Sequence, residues 1–259
     1  MSAFDENALP TSETIQVLHK RVSVRSYTEQ PVDDAHVEAI LRAAFRAPTS
    51  SNIQSYSVVV VRDKDTLAKL APVTGNQKHV AKAPVFLAFC ADMTRIEHAM
   101  ATNGWDIDQN NLEMGLVTSI DAALVGMSAS LAAESLGIMG VMIGAIRNNA
   151  EETAKILGLP HRVYAVFGMV LGWPADVPPQ KPRMPYEAMV HYEQFGNHKE
   201  GLTMLDGVAA YDRQLAAHYR GQGRTTNDDS WTAEVAKKFS VRPRQKLRAE
   251  LAGQGFDFD

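Results

Sequence analysis

The chain has 259 residues, of which 45% are apolar and 22% charged, and a formal net charge of −4. That length suits one large domain or one domain with a long extension, and the apolar share excludes global disorder. The acidic balance excludes a general affinity for nucleic acid, although a local group of cations can still hold one phosphate.

Residues Met1 to Glu6 are acidic and lack an apolar core, so they are not read as a signal peptide. Thr11 to Lys20 reads as a short helix with Ser12 as its N-cap. A dense polar patch, Lys20 to Ser26, follows. Asp33 caps a second helix, stapled by Val32, in which Val37, Ile40, Leu41, Ala44 and Phe45 recur at helical spacing. Pro48 ends it, and Thr49 to Asn52 form a loop. Ser57 to Arg62 reads as a β-branched strand, and Asp63 caps a short helix to about Leu70. Val85 to Ala91 reads as a second apolar strand. Its Cys90 is the only cysteine. It reads as a core thiol without a disulfide partner, which fits a cytoplasmic setting.

Asn111 to Leu136 reads as one long helix, apolar on nearly every face, with Gly137 as its stop. Such a helix needs cover on all sides, so it is expected at the molecular centre or a subunit interface. Its Glu113, Asp121 and Glu134 argue against a membrane span. Val141 to Ala145 reads as a strand. Asn149 with Glu152 opens a helix that ends near Gly158, and Arg162 to Leu171 reads as the next strand. Trp173 to Pro185 carries prolines 174, 178, 179, 182 and 185 and is read as irregular. The remainder is polar and helical, with a break at Gly221 to Asn227 and a last helix opened by Pro243. The pattern implies an α+β fold, a central sheet with helices on both faces. A core over 1–190 and a C-terminal helical extension over 191–259 are expected within one structural unit.

Several common chemistries are missing from the sequence. There is no G-x-x-x-x-G-K-[ST], G-x-S-x-G or H-E-x-x-H, and no cysteine pair. Gly137-Ile138-Met139-Gly140 precedes its strand, whereas a dinucleotide loop follows one. Four positive features remain. Arg21-Val22-Ser23-Val24-Arg25 offers two forked cations and a hydroxyl to one phosphate, or else a solvated helix end. Thr49-Ser50-Ser51-Asn52-Ile53-Gln54 offers short donors and a carboxamide to the polar edge of a flat ring, or an ordinary turn. Gly140 and Gly144 flank an apolar strand, where glycine marks close approach of a ligand or another backbone. Lys181-Pro182-Arg183 holds two cations in a stiff segment that either reaches a phosphate or is solvated.

Taken in order, these strings resemble the oxygen-insensitive, NADPH-preferring nitroreductase and flavin-reductase family. The likeness runs from about Ile15 to Phe258. It rests on R-x-S-x-R, A-P-T-S-S-N-x-Q, Gly75-Asn76-Gln77-Lys78-His79-Val80, Ala132-Ala133-Glu134-Ser135-Leu136-Gly137, G-V-M-I-G-A-I-R-N-N, Leu171-Gly172-Trp173-Pro174 and K-P-R-M-P. The resemblance implies a nitroreductase-like fold with a mixed sheet, a homodimer joined at the long helix, and one FMN at each subunit interface. By the same likeness Arg21, Ser23, Arg25, Lys181 and Arg183 hold the FMN phosphate. Ser50, Ser51, Asn52 and Gln54 line the flavin from the other subunit, and Gln77 meets the ring's polar edge. Met142, Ile143, Gly144 and Ala145 pack beside the ring. Arg242, with Arg224 second, reads the 2′-phosphate of NADPH.

Two departures stand out. Many members carry His-Arg-Ser in place of Arg21-Val22-Ser23, and Gly-Gly in place of Gly144-Ala145. The implied activity is a ping-pong reduction of nitroaromatics, quinones or free flavin by NADPH, with no catalytic side chain and no metal. Other readings are a dedicated flavin, azo or chromate reductase on the same scaffold, and a non-catalytic flavin carrier.

Overall fold

The computed structural model describes residues 9–107, 112–198, 201, 203–224, 230–241 and 243–258. They form two compact units, one from Met1–Pro178 with Arg244–Asp259 and one from Pro179–Pro243.

The first unit opens with α1 (Glu13–Lys20), where the Ser12 hydroxyl accepts from the Ile15 amide, and α2 (Asp34–Ala44). A 3₁₀ turn, Ser50–Asn52, leads into β1 (Tyr56–Val61). Next come α3 (Lys64–Val73), capped by Asp63 on the Thr66 amide, and α4 (Lys78–Ala81). They are followed by β2 (Val85–Asp92), α5 (Thr94–Thr102), α6 (Leu112–Ser135) and β3 (Met139–Ile143). A second 3₁₀ turn, Gly144–Asn149, precedes α7 (Ala150–Leu157) and β4 (Val163–Gly172). The second unit holds α8 (Tyr186–Met189), α9 (Met204–Gly221) and α10 (Trp231–Phe239). The chain then returns to the first unit with α11 (Leu247–Gly253).

The strand order is β1-β2-β4-β3, and all three pairings are antiparallel. The expected mixed sheet is thus corrected for the described strands. The reason is visible between β1 and β2. Val61 pairs with Phe86, so α3 and α4 return the chain at the end of the sheet where it left. Helices do cover both faces. Val85, Leu87 and Phe89 pack with Val37, Ile40, Ala122, Val125 and Ala129 on one side. Phe86, Ala88 and Cys90 pack with Leu67, Leu70, Val80 and Ile146 on the other. This is the period of two expected of a strand buried on both faces. Each large apolar side chain so buried contributes about 1.5–3 kcal/mol. Burial, and then the charge of Asp92, push the Cys90 thiol up to about 12, so it is an inert core group.

Helix α3 runs to Val73, past the expected Leu70, and three other boundaries differ for visible reasons. The strand expected at Val141 to Ala145 is Met139–Ile143, and Gly144 and Ala145 already belong to the 3₁₀ turn. The last helix starts at Leu247 rather than at Pro243, because Arg244 takes a positive φ of 49° that no helix accepts. Helix α2 closes at Ala44, before Pro48 is reached, and Phe45 is left exposed.

Helix α6 has length and composition enough to cross a membrane. One of its faces is nonetheless committed to the sheet. That face is built from small or polar residues, including Gly115, Thr118, Asp121, Ala122, Gly126, Ala129 and Ser130. A Cβ on Gly126 would lie 2.3 Å from Phe167 Cζ, so the helix seats against the sheet only because side chains are missing there. The larger residues Leu112, Leu116, Ile120, Leu124 and Met127 form a stripe on the opposite, exposed face.

Two predictions follow from this packing. A Cβ on Gly140 would lie 2.2 Å from the Val170 backbone oxygen, and the Gly140 oxygen also accepts from the Val24 amide at 3.0 Å. Gly140→Ala therefore forces backbone apart and is expected to cost about 1–3 kcal/mol or more. Beside Gly144 the only near atom is Arg147 Nη2 at 3.7 Å, so Gly144→Ala should be neutral. Urea unfolding of both variants checks this contrast.

Asp92 joins β2 to β1 and α5. It accepts from the Ser57 hydroxyl, from the Thr94 amide at 2.9 Å and hydroxyl at 2.6 Å, and from Arg95 at 3.2 Å. Burial pulls its pKa upward, but the bonds from Ser57 and Thr94 and the charge of Arg95 outweigh burial and lower it. A carboxylate with a depressed pKa stabilises the fold above its unfolded pKa of about 4 and loses that contribution as pH falls through the folded value. Asp92→Asn should thus be destabilised at pH 7, by on the order of 1–3 kcal/mol. The gap to the unsubstituted protein should close towards pH 3. Unfolding midpoints measured across that range test the direction.

Candidate flavin site

The structure brings three of the expected segments together at the β3 edge of the sheet. Residues 21–28 leave α1 and run beside the strand, tied by the Val24 amide to Gly140 and by the Thr28 amide to Trp173 at 2.9 Å. The Tyr27 hydroxyl donates to the Val24 oxygen at 2.7 Å, which turns the segment. Arg25 is exposed, and its guanidinium bonds the Ser23 oxygen at 3.4 Å. His79 lies close enough to feel Arg25, since burial first, and then that positive charge, lowers its pKa. The turn before His79 is held by Gln77, whose Nε2 donates to the Thr74 oxygen at 2.8 Å. Gly75, at φ 81°, faces Asn148 in the Gly144–Asn149 turn. The 21–28 segment thus runs beside β3, the Gly75 turn faces the Gly144–Asn149 turn, and Gly144 itself is uncrowded.

Arg21 caps α1 and sits near Glu134 of α6, whose pKa burial raises and Arg21 lowers. Met142 is 39% exposed. The Ile143 side chain is 1% exposed and points into the core on the opposite face, so only its backbone can face a ligand. The turn that follows is fixed by Arg244, which donates to the Gly144 oxygen at 3.2 Å and to Asn148 Oδ1 at 3.1 Å.

Ser50, Ser51, Asn52 and Gln54 stand elsewhere. They precede β1, the opposite edge strand, three strand spacings from β3, or about 14 Å. Ser51, Asn52 and Gln54 are exposed and take φ values of 46°, 57° and 55°. Arg95 Nη2 donates to the Gln54 oxygen at 3.1 Å and also to the Tyr56 oxygen. Asp121 accepts at both ends of the loop. None of Asp121, Arg95 and Arg244 was singled out for the site from sequence. The available signal was Asp121, a carboxylate amid an apolar helical run.

In the second unit, Lys181 Nζ bonds the Tyr219 hydroxyl at 2.6 Å, and that hydroxyl donates to Glu234 at 2.9 Å. The Arg224 guanidinium lies 4.0 Å from the centroid of the same ring. Arg183 bonds the Lys181 and Pro182 oxygens at 3.4 and 3.2 Å. Arg242 lies outside the described residues.

The donor set suits FMN. An exposed arginine with a serine offers a phosphate its counter-charge, and the open Gly144 turn beside exposed Met142 offers a flat ring an uncrowded surface. Comparison with known proteins agrees. The Nitroreductase family model matches residues 18–173, and the model of the Nitroreductase family, C-terminal domain, matches residues 181–259. The oxygen-insensitive NADPH nitroreductase of Salmonella typhimurium is 40% identical over 245 residues, 95% of this chain and 98% of that one. The FMN reductase [NAD(P)H] of Bacillus subtilis is 35% identical, over 95% of this chain and 98% of its own. The solved structure of B. megaterium NfrA2 superposes with a TM-score of 0.90 at 34% identity, covering 96% of this chain and all of that one. The chain belongs to the nitroreductase family.

Proposed function

We propose that this chain is an FMN-dependent oxidoreductase that takes reducing equivalents from NADPH and passes them to nitroaromatics, quinones or free flavin. The observation that carries the reading is the placement of the Arg21–Arg25 segment beside β3 and of the Gly75 turn against the Gly144–Asn149 turn, in a chain related over nearly its whole length to an NADPH nitroreductase and an FMN reductase. When bound, FMN supplies the two-electron chemistry, accepting hydride from the nicotinamide and yielding electrons to the acceptor in turn. The residues of the chain bind and orient. Arg21, Ser23 and Arg25 supply charge-assisted bonds to the phosphate. Gln77 and the amides of the Gly144–Ala145 turn address the polar edge of the ring. Met142 and the Ile143 backbone border its face.

The loop Ser50–Gln54 lines the site from a second copy of the chain. The exposed, contiguous apolar stripe Leu112, Leu116, Ile120, Leu124 and Met127 on α6 supports such a homodimer. A single buried thiol fits a reducing, cytoplasmic setting.

The test is reconstitution with FMN followed by anaerobic NADPH. The protein should hold roughly one FMN per chain and bleach within the mixing time, then recover its colour with a quinone. A protein that stays yellow is a carrier and not an enzyme. Arg25→Ala should weaken FMN by about ten- to a hundredfold while Arg224→Ala leaves it unchanged. Equal affinities would remove Arg25 from the phosphate site.

Coenzyme choice rests in this reading on Arg242 and Arg224. Arg224 lies against Tyr219, so it is held in place before any phosphate arrives. Only NADPH has a 2′-phosphate to lose contact with, so Arg242→Ala and Arg224→Ala should each raise KM for NADPH and leave NADH nearly unchanged. Values of kcat/KM for both coenzymes, on both variants and the double, decide it. An unchanged ratio in all three places coenzyme recognition elsewhere.

A further inference from the structure

A helix apolar on both faces has little use for a carboxylate, yet Asp121 lies in the middle of α6 at 1% exposure. Its Oδ1 accepts from the Ser50 amide at 3.0 Å. Its Oδ2 accepts from the Ser55 amide at 3.3 Å and the Ser55 hydroxyl at 2.9 Å. Among the described residues it has no ion-pair partner, so these donors are what compensates its burial. One side chain thus fixes both ends of a six-residue loop.

Between those anchors Ser51, Asn52 and Gln54 hold left-handed φ angles that non-glycine residues seldom adopt. Such a backbone persists only where its surroundings over-determine it, and strain of this kind collects at ligand sites. It also turns exposed donors outward. Inside the loop the Ile53 backbone amide donates to the Ser50 oxygen at 2.8 Å, and the Gln54 side-chain amide donates to Asn52 Oδ1 at 3.3 Å and the Asn52 oxygen at 3.4 Å. The neighbour of Asp121 on the helix is Ile120, the most exposed member of the apolar stripe at 56%. The same turn of α6 therefore carries the loop's anchor on one side and the proposed subunit contact on the other.

We propose that Asp121 is the positioning residue of this loop, holding Ser50–Gln54 in the one shape that presents its donors to the flavin of the neighbouring copy. The inference rests on the reading of that loop as a flavin contact. Asp121 does not itself touch the flavin. Its carboxylate is suited because it only accepts. An asparagine would turn an NH₂ towards one of the two amide donors and lose that anchor.

The experiment titrates FMN into the flavin-free dimer of the full chain, followed by flavin fluorescence well below the unfolding temperature. It compares Asp121→Asn, Ser55→Ala, the double variant and Gln54→Ala. Asp121→Asn is expected to raise the FMN Kd on the order of ten- to a hundredfold, as displaced contacts do. The double variant should bind no more weakly than Asp121→Asn, since both act through one loop. A carboxylate that merely supports the fold would lower the apo-protein's melting temperature and leave Kd where it was. Kd within about twofold of the unsubstituted protein, alongside a Gln54→Ala variant that binds weakly, overturns the proposal while sparing the reading beneath it. If Gln54→Ala also binds normally, the loop is no flavin contact and both fall. Should Asp121→Asn not fold, Ser55→Ala carries the test, where a rise of about threefold or more supports the proposal and no change overturns it.

Discussion

The distance at which α6 lies from the sheet governs most of what surrounds it. Gly126, Ala122 and Ala129 on its inner face let the helix sink until there is no room for a Cβ at position 126 against Phe167. Phe167 in turn stacks on Phe89 at 5.1 Å. A helix packed this closely holds its axis to the sheet through dispersion over many small contacts rather than through a few large side chains. The large residues are thereby displaced outward, which is why the helix is apolar on both faces. The inner face also brings Asp121 within reach of the loop ahead of β1. One packing decision therefore sets the core, the exposed stripe and the loop anchor together.

The sheet order then separates the two sets of candidate site residues. The Arg21–Arg25 segment and the Gly144 turn stand at the β3 edge, and the Ser50–Gln54 loop at the β1 edge. The registers carry both towards the same end of the sheet, since Ile143 pairs with Gly168, Gly168 with Ala88, and Ala88 with Val59, three residues after Tyr56. With β2 and β4 between them, the two sets of residues stand three strand spacings apart, about 14 Å. In the proposed homodimer, a two-fold axis near α6 brings the β1-edge loop of each copy towards the β3 edge of the other, and such an isologous contact generates two equal sites.

Elements with a local cause were legible in the sequence. Ser12, Asp63 and Asn149 each cap the helix they were expected to open. Gly137 and Gly158 stop the helices before them with left-handed backbone, and β2 alternates between two cores as the apolar run Val85 to Ala91 should. What escaped was set by contacts distant in the chain. The end of β3 depends on Arg244 gripping the Gly144 oxygen from 100 positions away, a bond no local pattern announces. Helix α5 begins where Asp92 accepts from Thr94, but that carboxylate also serves Ser57 across the sheet. Asp121 was visible as an anomaly in an apolar run. Its purpose was not, because its partners stand 66 and 71 residues earlier.

The same economy appears in the second unit around Tyr219, which is 1% exposed. Its hydroxyl accepts from Lys181 and donates to Glu234, so both of its roles are used. Its ring lies beneath Arg224. A phenol can do this because its oxygen bonds in the ring plane while its faces remain free for a cation. Lys181 and Arg224, two cations with separate proposed tasks, are thus held on one side chain that is itself packed with Leu215 and Tyr211 on α9. Long cationic side chains otherwise lose much rotamer freedom when they take up an anion. Holding both heads before binding removes part of that cost. It also gives a reason why the cations are spaced as they are in sequence. Residue 181 lies in an extended, proline-bound segment and 224 just past the end of α9, and Tyr219, buried in the last turn of that helix, reaches both.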